Sequence, residues 1–144
     1  MALTAAALLS LKGSSSLMRG IKNNNPGNIR GASYQWQGEV GRDDKNFVVF
    51  SSPVWGVRAM YRTLMTYRNK HGLDTPAGII NRWAPPSENV TSSYVNHVAS
   101  VLDVAPNAPI PLEKYADLIK VIIKHENGVQ PYDDGVINAG IAAA

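Results

Sequence analysis

The stretch from Tyr115 to Gly128 constrains the fold most, because its apolar residues recur at helical spacing. With 3.6 residues per turn, they fall on one side of a helix. This stripe consists of Tyr115, Leu118, Ile119, Ile122 and Ile123. Gly128 then supplies the left-handed residue that commonly ends a helix. The segment therefore predicts a helix with one buried face.

Glu126 continues the same face and places a carboxyl group at its end. Apolar surroundings and the negative end of the helix dipole both disfavour the ionised form of such a group. Glu126 is therefore a candidate general acid. The alternative is an ordinary last-turn residue whose carboxylate passes Ile122 to reach water or accepts a backbone hydrogen bond.

Composition limits the function classes. The 144 residues suffice for one domain with a core, and the lack of cysteine excludes disulfides, thiol chemistry and zinc-thiolate sites. A net charge of +3 would help docking on an anionic polymer such as a bacterial wall, but scattered basic residues do not predict nucleic acid as a partner. His71, His97 and His125 lack ligand spacing, and no cofactor fingerprint is present, so neither a metal nor a cofactor is expected.

Residues 1–18 are expected to form an apolar arm and a Ser/Gly linker ahead of a single domain at 19–144. The apolar run Ala2–Leu11 is too short to span a bilayer, so no stable membrane span is predicted. No positive residue precedes it, and Ser14–Ser16 is not a clear cleavage site. A signal peptide or docking segment is the alternative interpretation.

Residues that commonly begin or end helices and strands divide the rest of the chain into one hairpin and several helices. Arg19–Arg30 predicts a hydrogen-bonded loop, and Tyr34–Val40 and Phe47–Phe50 predict strands joined by Gly41–Asn46. Ser52-Pro53 and Thr75-Pro76 predict helix starts, with ends at Gly72 and near Trp83. A further helix should begin near Asn89 or Thr91 and bury Tyr94, Val95, Val98, Val101 and Leu102. Glu88-Asn-Val-Thr91 resembles a capping arrangement for this helix, which is preferred to a catalytic role for Glu88. The fold class is mainly α (α+β), with one small hairpin.

Several motifs resemble those of soluble lytic transglycosylases in the lysozyme superfamily. Leu118-Ile-Lys-Val-Ile-Ile-Lys-His-Glu126-Asn127-Gly128 resembles their catalytic helix, and Pro26-Gly-Asn-Ile-Arg30 resembles their Gly-Leu-Met-Gln loop. Ile80–Pro85 stands where a Tyr-Asn-Ala-Gly turn would lie, and Tyr94–Val98 resembles the closing Tyr-Val helix. In those enzymes the acid helix comes first. The resemblance therefore implies a lysozyme-like domain whose catalytic helix is circularly permuted to the C-terminus.

Two further likenesses involve the asparagine-rich segment. Asn24–Ile29 followed by Trp36-Gln-Gly38 is similar to the Asn-Asn-Leu-Phe-Gly-Ile-Lys and Trp-x-Gly signature of bacterial glucosaminidases. Arg19–Ile141 resembles short phage or prophage virion proteins that open with Arg-Gly-Ile-Arg-Asn-Asn-Asn-Pro-Gly-Asn-Ile. Asn127 replaces the transglycosylase serine after the acid, and Arg30 replaces a glutamine.

The resemblance implies catalytic roles for three residues. Glu126 would protonate the glycosidic oxygen between N-acetylmuramic acid and N-acetylglucosamine and then act as base, and Tyr94 would orient it. A transglycosylase needs no second acid, whereas a hydrolase generally does. Glu39 is the candidate for that second group, with Asp43 and Asp44 as fallbacks. All three could equally form a solvated hairpin tip.

Substrate contacts are expected from amides and large aromatic rings. These residues are Asn25, Asn28, Arg30, Trp36, Asn81, Trp83 and Asn127. Loop asparagines often satisfy backbone turns instead, and tryptophans often pack in cores.

The leading hypothesis is a peptidoglycan-degrading enzyme, either a lytic transglycosylase or a muramidase. It would be carried in a phage virion or made from a prophage, and would act at the bacterial periplasm or cell wall. Its partners would be peptidoglycan and other virion proteins. The alternative is a non-catalytic virion structural or wall-binding protein with the same fold; a peptide-cleaving enzyme has less support. The leading hypothesis requires Glu126 to face the asparagine-rich loop across a groove.

Overall fold

The computed structural model describes residues 19–84 and 88–144, without the side chains of 88–90. The predicted arm Ala2–Leu11, its serine linker and the Glu88 cap lie outside the described residues and side chains. The described part is mainly helical with a two-stranded antiparallel sheet, which confirms the α+β prediction. Its elements are β1 (Glu39–Arg42), β2 (Val48–Phe50), α1 (Pro53–His71), α2 (Pro76–Trp83), α3 (Glu88–Leu102), a 3₁₀ turn (Leu112–Lys114), α4 (Tyr115–Asn127) and α5 (Asp134–Ala142).

Helices α1 and α2 begin and end where their capping residues predict. Pro53 occupies the first turn of α1, and Gly72 ends that helix in the left-handed conformation with φ 65°. The Thr75 hydroxyl accepts a 3.0 Å hydrogen bond from the Gly78 N–H at the start of α2. Local capping chemistry therefore determines both boundaries.

Helix α4 lies in the core and buries the face that its apolar stripe predicts. Every residue of that stripe is at most 1% exposed, and burial of each aliphatic side chain contributes about 1.5–3 kcal/mol. Helix α3 packs beside it through Val95, Val98 and Leu102. Val101 was expected in this face, but it is 49% exposed because the buried stripe extends instead towards Ala99. The prediction for Val101 was wrong.

The hairpin starts later than its aromatic pattern predicts. Strand β1 begins at Glu39 and runs through Gly41 and Arg42, so residues 34–38 form bends and turns before it. Gly38 has a φ of +82°, and a Cβ there would lie 2.2 Å from the Trp55 ring. A left-handed residue held against an aromatic ring interrupts an extended strand.

Helix α5 follows α4 and packs against α1. Asp133 caps it by accepting a hydrogen bond from the Val136 N–H, and Ile137 is fully buried. Arg58 of α1 donates to the Ala143 carbonyl at 3.0 Å. No helix in the described part of the chain combines the length and apolarity needed to cross a membrane.

Candidate functional site

The asparagine loop, residues 23–31, is a rigid element attached to strand β2. Asn25 is completely buried, and its amide group bonds the Ile29 backbone and the Val48 carbonyl at 2.9–3.0 Å. Asn24 and Asn28 take left-handed backbone conformations, which asparagine tolerates better than most residues. The Val48 N–H donates to the Ile29 carbonyl. These bonds fix the part of the loop that faces the end of α4.

Asn127 joins the asparagine loop to helix α4. It is 1% exposed, and its amide donates to the carbonyls of Pro26 at 2.8 Å and Ile123 at 3.0 Å. Gly20 packs so closely that a Cβ there would lie 2.2 Å from Asn127 Oδ1. Asn127 therefore positions the residue before it, Glu126, against the loop. This buried amide is not available for the substrate contact that the motif implied.

Glu126 lies in a cleft of about 460 Å³ between the asparagine loop and helices α1, α2 and α4. The expected groove between the helix end and the loop is therefore present. Five of its eleven lining residues are aromatic. The lining residues are Gly27, Asn28, Ile29, Arg30, Tyr34, Trp36, Phe47, Thr63, Tyr67, Trp83 and Glu126.

The environment of Glu126 favours its neutral form. Burial raises the pKa of this carboxyl group from 4.5 to about 7, although side-chain hydrogen bonds from Asn28 and Tyr94 act in the opposite direction. The group is thus protonated in a large fraction of molecules near neutral pH. A carboxyl group with such a pKa can donate a proton and take one back at the same pH.

Tyr94 connects Glu126 to a pair of histidines. Its hydroxyl lies 3.5 Å from Glu126 Oε2, and its ring stacks on His125 with centroids 4.0 Å apart. His97 Nδ1 lies 2.7 Å from His125 Nε2. The sequence did not suggest this contact, because the two histidines belong to different helices. Burial, followed by repulsion from His97, lowers the pKa of His125 to about 4, so His125 is neutral at pH 7.

Two predicted stacking residues, Trp36 and Trp83, line the cleft with Glu126. Trp36 makes an edge-to-face contact with Tyr34, and Trp83 makes one with Tyr67. The indole N–H of Trp36 is buried and has no hydrogen-bond partner among the described residues. Flat apolar faces beside polar groups are suited to sugar rings.

Sequence reasoning missed six lining residues: Gly27, Ile29, Tyr34, Phe47, Thr63 and Tyr67. Thr63 and Tyr67 stand four residues apart on α1, beside its buried stripe. This i,i+4 pair was a usable signal. Tyr34 was visible as an aromatic two residues before Trp36.

The carboxylates of the hairpin are already paired. Glu39 accepts hydrogen bonds from the Trp36 N–H at 3.0 Å and from Arg42 Nε at 3.1 Å. Asp43 accepts from Arg19 at 2.8 Å and Asn23 at 2.9 Å, and Asp44 is largely exposed. None of these three carboxylates lines the cleft.

Some of the remaining residues predicted to contact substrate line the cleft, and others do not. Asn28 and Arg30 line the cleft, and Arg30 also stacks over Phe47 at 4.3 Å. The side-chain amide of Asn25 forms its hydrogen bonds with the backbones of Ile29 and Val48. Asn81 lies outside the cleft in a separate depression with Asn96, and its amide donates to the Ala77 carbonyl. The structure thus brings Asn28, Arg30, Trp36 and Trp83 to Glu126 but not Asn25, Asn81 or Asn127.

The described residues contain no group of three or more histidine, aspartate or glutamate side chains arranged to hold a metal ion. No protein-family model matches the chain. It is 44% identical over 126 residues to Protein P5 of Pseudoalteromonas phage PM2, an alignment that covers 85% of this chain and 79% of the relative.

Proposed function

Because the chain belongs to the family of Protein P5 of Pseudoalteromonas phage PM2, we propose that it is a phage-encoded enzyme that cleaves the glycan strand of bacterial peptidoglycan. The observation that carries the proposal is a carboxyl group with a pKa of about 7 in an aromatic cleft. Perturbed carboxyl groups in clefts are characteristic of general acid-base catalysis. Glycan cleavage requires an acid that is protonated at working pH.

Glu126 would protonate the oxygen of the scissile glycosidic bond. Trp36 and Trp83 would stack on sugar rings, and the side-chain amide of Asn28, which also lines the cleft, would contact an N-acetyl group. As the bond breaks, the leaving sugar takes the proton and Glu126 becomes a carboxylate. Tyr94 would hold that carboxylate in place.

The pairing of the hairpin carboxylates favours a one-acid mechanism. Glu39 is held by Trp36 and Arg42, which leaves Glu126 as the carboxyl group among the cleft residues described. The Glu126 carboxylate would then remove a proton from the C6 hydroxyl of the muramic residue, whose oxygen closes on C1. The products are an anhydromuramic end and a regenerated acid. We therefore propose a lytic transglycosylase rather than a hydrolase.

We extend the proposal to the fold. An acid at the end of a central buried helix, facing a cleft beside a small hairpin, supports a lysozyme-like domain. The acid helix follows the hairpin here, which supports a circular permutation. Asn127, which bonds the loop to this helix, supports the same arrangement. Carriage in the virion and delivery to the periplasm belong to this proposal.

The test uses purified murein with wild-type protein and the isosteric Glu126→Gln variant. The wild type should clear the suspension, and the variant should be slower by about 10³-fold while folding normally, because it cannot donate the proton. Mass spectrometry of the released muropeptides should detect anhydromuramic ends, which are lighter than hydrolysed ends by one water.

The same assay separates the other outcomes. Reducing ends in place of anhydro ends would identify a hydrolase. Equal clearing by both proteins would remove Glu126 from the mechanism. If the wild type pelleted with murein but released nothing, a non-catalytic wall-binding protein would replace the enzyme. Glu113→Gln, the same change at an exposed position, is the matched control and should clear murein at the wild-type rate.

A further inference from the structure

A second groove adjoins the cleft along helix α1. Its lining includes Tyr34, Trp36 and Thr63, which also line the Glu126 cleft, so the two depressions share a wall. The far side of this groove is formed by Arg58, Arg62 and Thr66, together with two glutamines of the 34–38 segment. A ligand bound in the cleft can therefore continue into this groove.

The groove is positively charged. Arg58 and Arg62 are four residues apart on α1 and so lie on the same face, where like charges repel. Burial, followed by this repulsion, lowers the pKa of Arg58. Neither arginine forms an ion pair with a carboxylate among the residues that the structure describes. Two neighbouring guanidinium groups without a carboxylate between them form a receptor for an anion.

We propose that this groove binds the carboxylates of the peptide stem carried by the muramic residue in the cleft, an inference that rests on the proposed function. The stem leaves the sugar through its lactyl group, so it runs beside the glycan strand rather than along it. Its γ-linked glutamate and its terminal residue each carry a free carboxylate. Arg62 is exposed and Arg58 is partly buried, so Arg62 is the contact that can move to meet the stem.

The neighbouring side chains fit a peptide better than a bare sugar chain. Gln35, Gln37 and Thr66 offer amide and hydroxyl groups that can pair with the peptide backbone. Arg58 is anchored by its bond to the Ala143 carbonyl and therefore holds a fixed position. The groove thus makes the enzyme selective for strands that still carry their stems.

The test measures binding, so that it does not depend on turnover. Glu126→Gln protein is titrated by calorimetry with N-acetylglucosaminyl-N-acetylmuramoyl tripeptide and with the same compound after amidation of its carboxylates. Amidation should weaken binding about tenfold, because charge-assisted hydrogen bonds are lost. Adding Arg62→Gln should weaken binding of the free acid by about the same factor and leave the amidated compound unchanged. Lys70→Gln, an exposed cation further along α1, is the matched control and should leave both affinities unchanged.

Three results would overturn the proposal. The first is that Glu126→Gln protein binds the free and amidated compounds equally well, or binds neither of them. The second is an Arg62→Gln effect that is the same for both compounds. The third is displacement of the muropeptide by a DNA oligonucleotide, which would assign the groove to nucleic acid. If the wild-type protein failed to clear murein, that result would count against the proposed function. The activity assay and the binding assay therefore distinguish failure of the proposed function from failure of this inference.

Discussion

The cleft contains the carboxyl group of Glu126 and the hairpin loop contains that of Asp43. Their pKa values are shifted in opposite directions. Burial raises the pKa of both Glu126 and Asp43. At Asp43 that effect is outweighed by hydrogen bonds from the backbones of Phe47 and Lys45 and from Asn23 and Arg19, so its pKa falls to about 2. Glu126 receives two neutral side-chain bonds, and its pKa stays at about 7. Deeper burial and fewer, uncharged donors together separate Glu126 from the structural carboxylate of Asp43.

The largest expected effect concerns the stability of the Glu126→Gln variant. The folded-state pKa of Glu126 lies above its unfolded value, so ionisation destabilises the fold as pH rises from 4.5 to about 7. The variant should match the wild type near pH 4 and exceed it by about 3 kcal/mol above pH ~8. Urea unfolding across this range measures the difference. A constant difference at all pH values would show that Glu126 is not a desolvated acid.

Asp43→Asn should have the reverse pH dependence. The folded-state pKa of Asp43 is depressed from 3.8 to about 2, so its stabilising effect is present above pH 3.8 and lost as pH falls through 2. The variant should be about 2 kcal/mol less stable near neutral pH, and the difference should vanish near pH ~2. Asp44→Asn, at the exposed neighbour, is the control in urea titrations and should cost much less. Equal losses from the two variants would mean that the network around Asp43 adds nothing.

Asn28→Asp would place a negative charge beside Glu126. Aspartate tolerates the left-handed backbone of residue 28, and its negative charge should raise the pKa of Glu126 by about 1 unit. Carboxyl-carbon NMR titration measures this shift without reference to activity. Asn46→Asp makes the same change at another left-handed position, in the hairpin loop, and should leave Glu126 alone. A fall in the Glu126 pKa would contradict the proposed influence of residue 28.

The smallest expected effect belongs to Tyr94→Phe. The Tyr94 hydroxyl stabilises the ionised form of Glu126 through a long 3.5 Å contact, so its loss should raise the Glu126 pKa by about half a unit and slow turnover about threefold. The basic limb of the pH-rate profile reports the shift. Tyr132→Phe removes a buried hydroxyl that has no partner in the described structure and should change neither quantity. A larger effect of the control would point to packing rather than to hydrogen bonding.

Local rules predicted most of the fold but only part of the site. The end of α1 at Gly72, the start of α2 at Thr75 and the burial of α4 each follow from residues within one or two turns. Helix α5 was missed, although Asp133 and the apolar residues after it were available as signals.

Two residues predicted to contact substrate, Asn25 and Asn127, lie outside the cleft for one reason. Asn25 and Asn127 have side chains suited to binding a sugar, but their partners are backbone carbonyls on β2 and at Pro26. A sequence shows which groups can form hydrogen bonds and not which distant carbonyl needs a donor. The contact between His97 and His125 could not be predicted for the same reason, because the crossing of α3 and α4 depends on the whole core.

The bond from Asn127 to the Pro26 carbonyl spans 101 positions of the chain, and it determines when the cleft can form during protein synthesis. The asparagine loop leaves the ribosome early, whereas Glu126 and the residue that secures it emerge together near the end. A nascent chain therefore carries the aromatic walls of the cleft before its buried carboxyl group has been synthesised. The cell that synthesises this protein meets a complete cleft only after translation of α4 is finished.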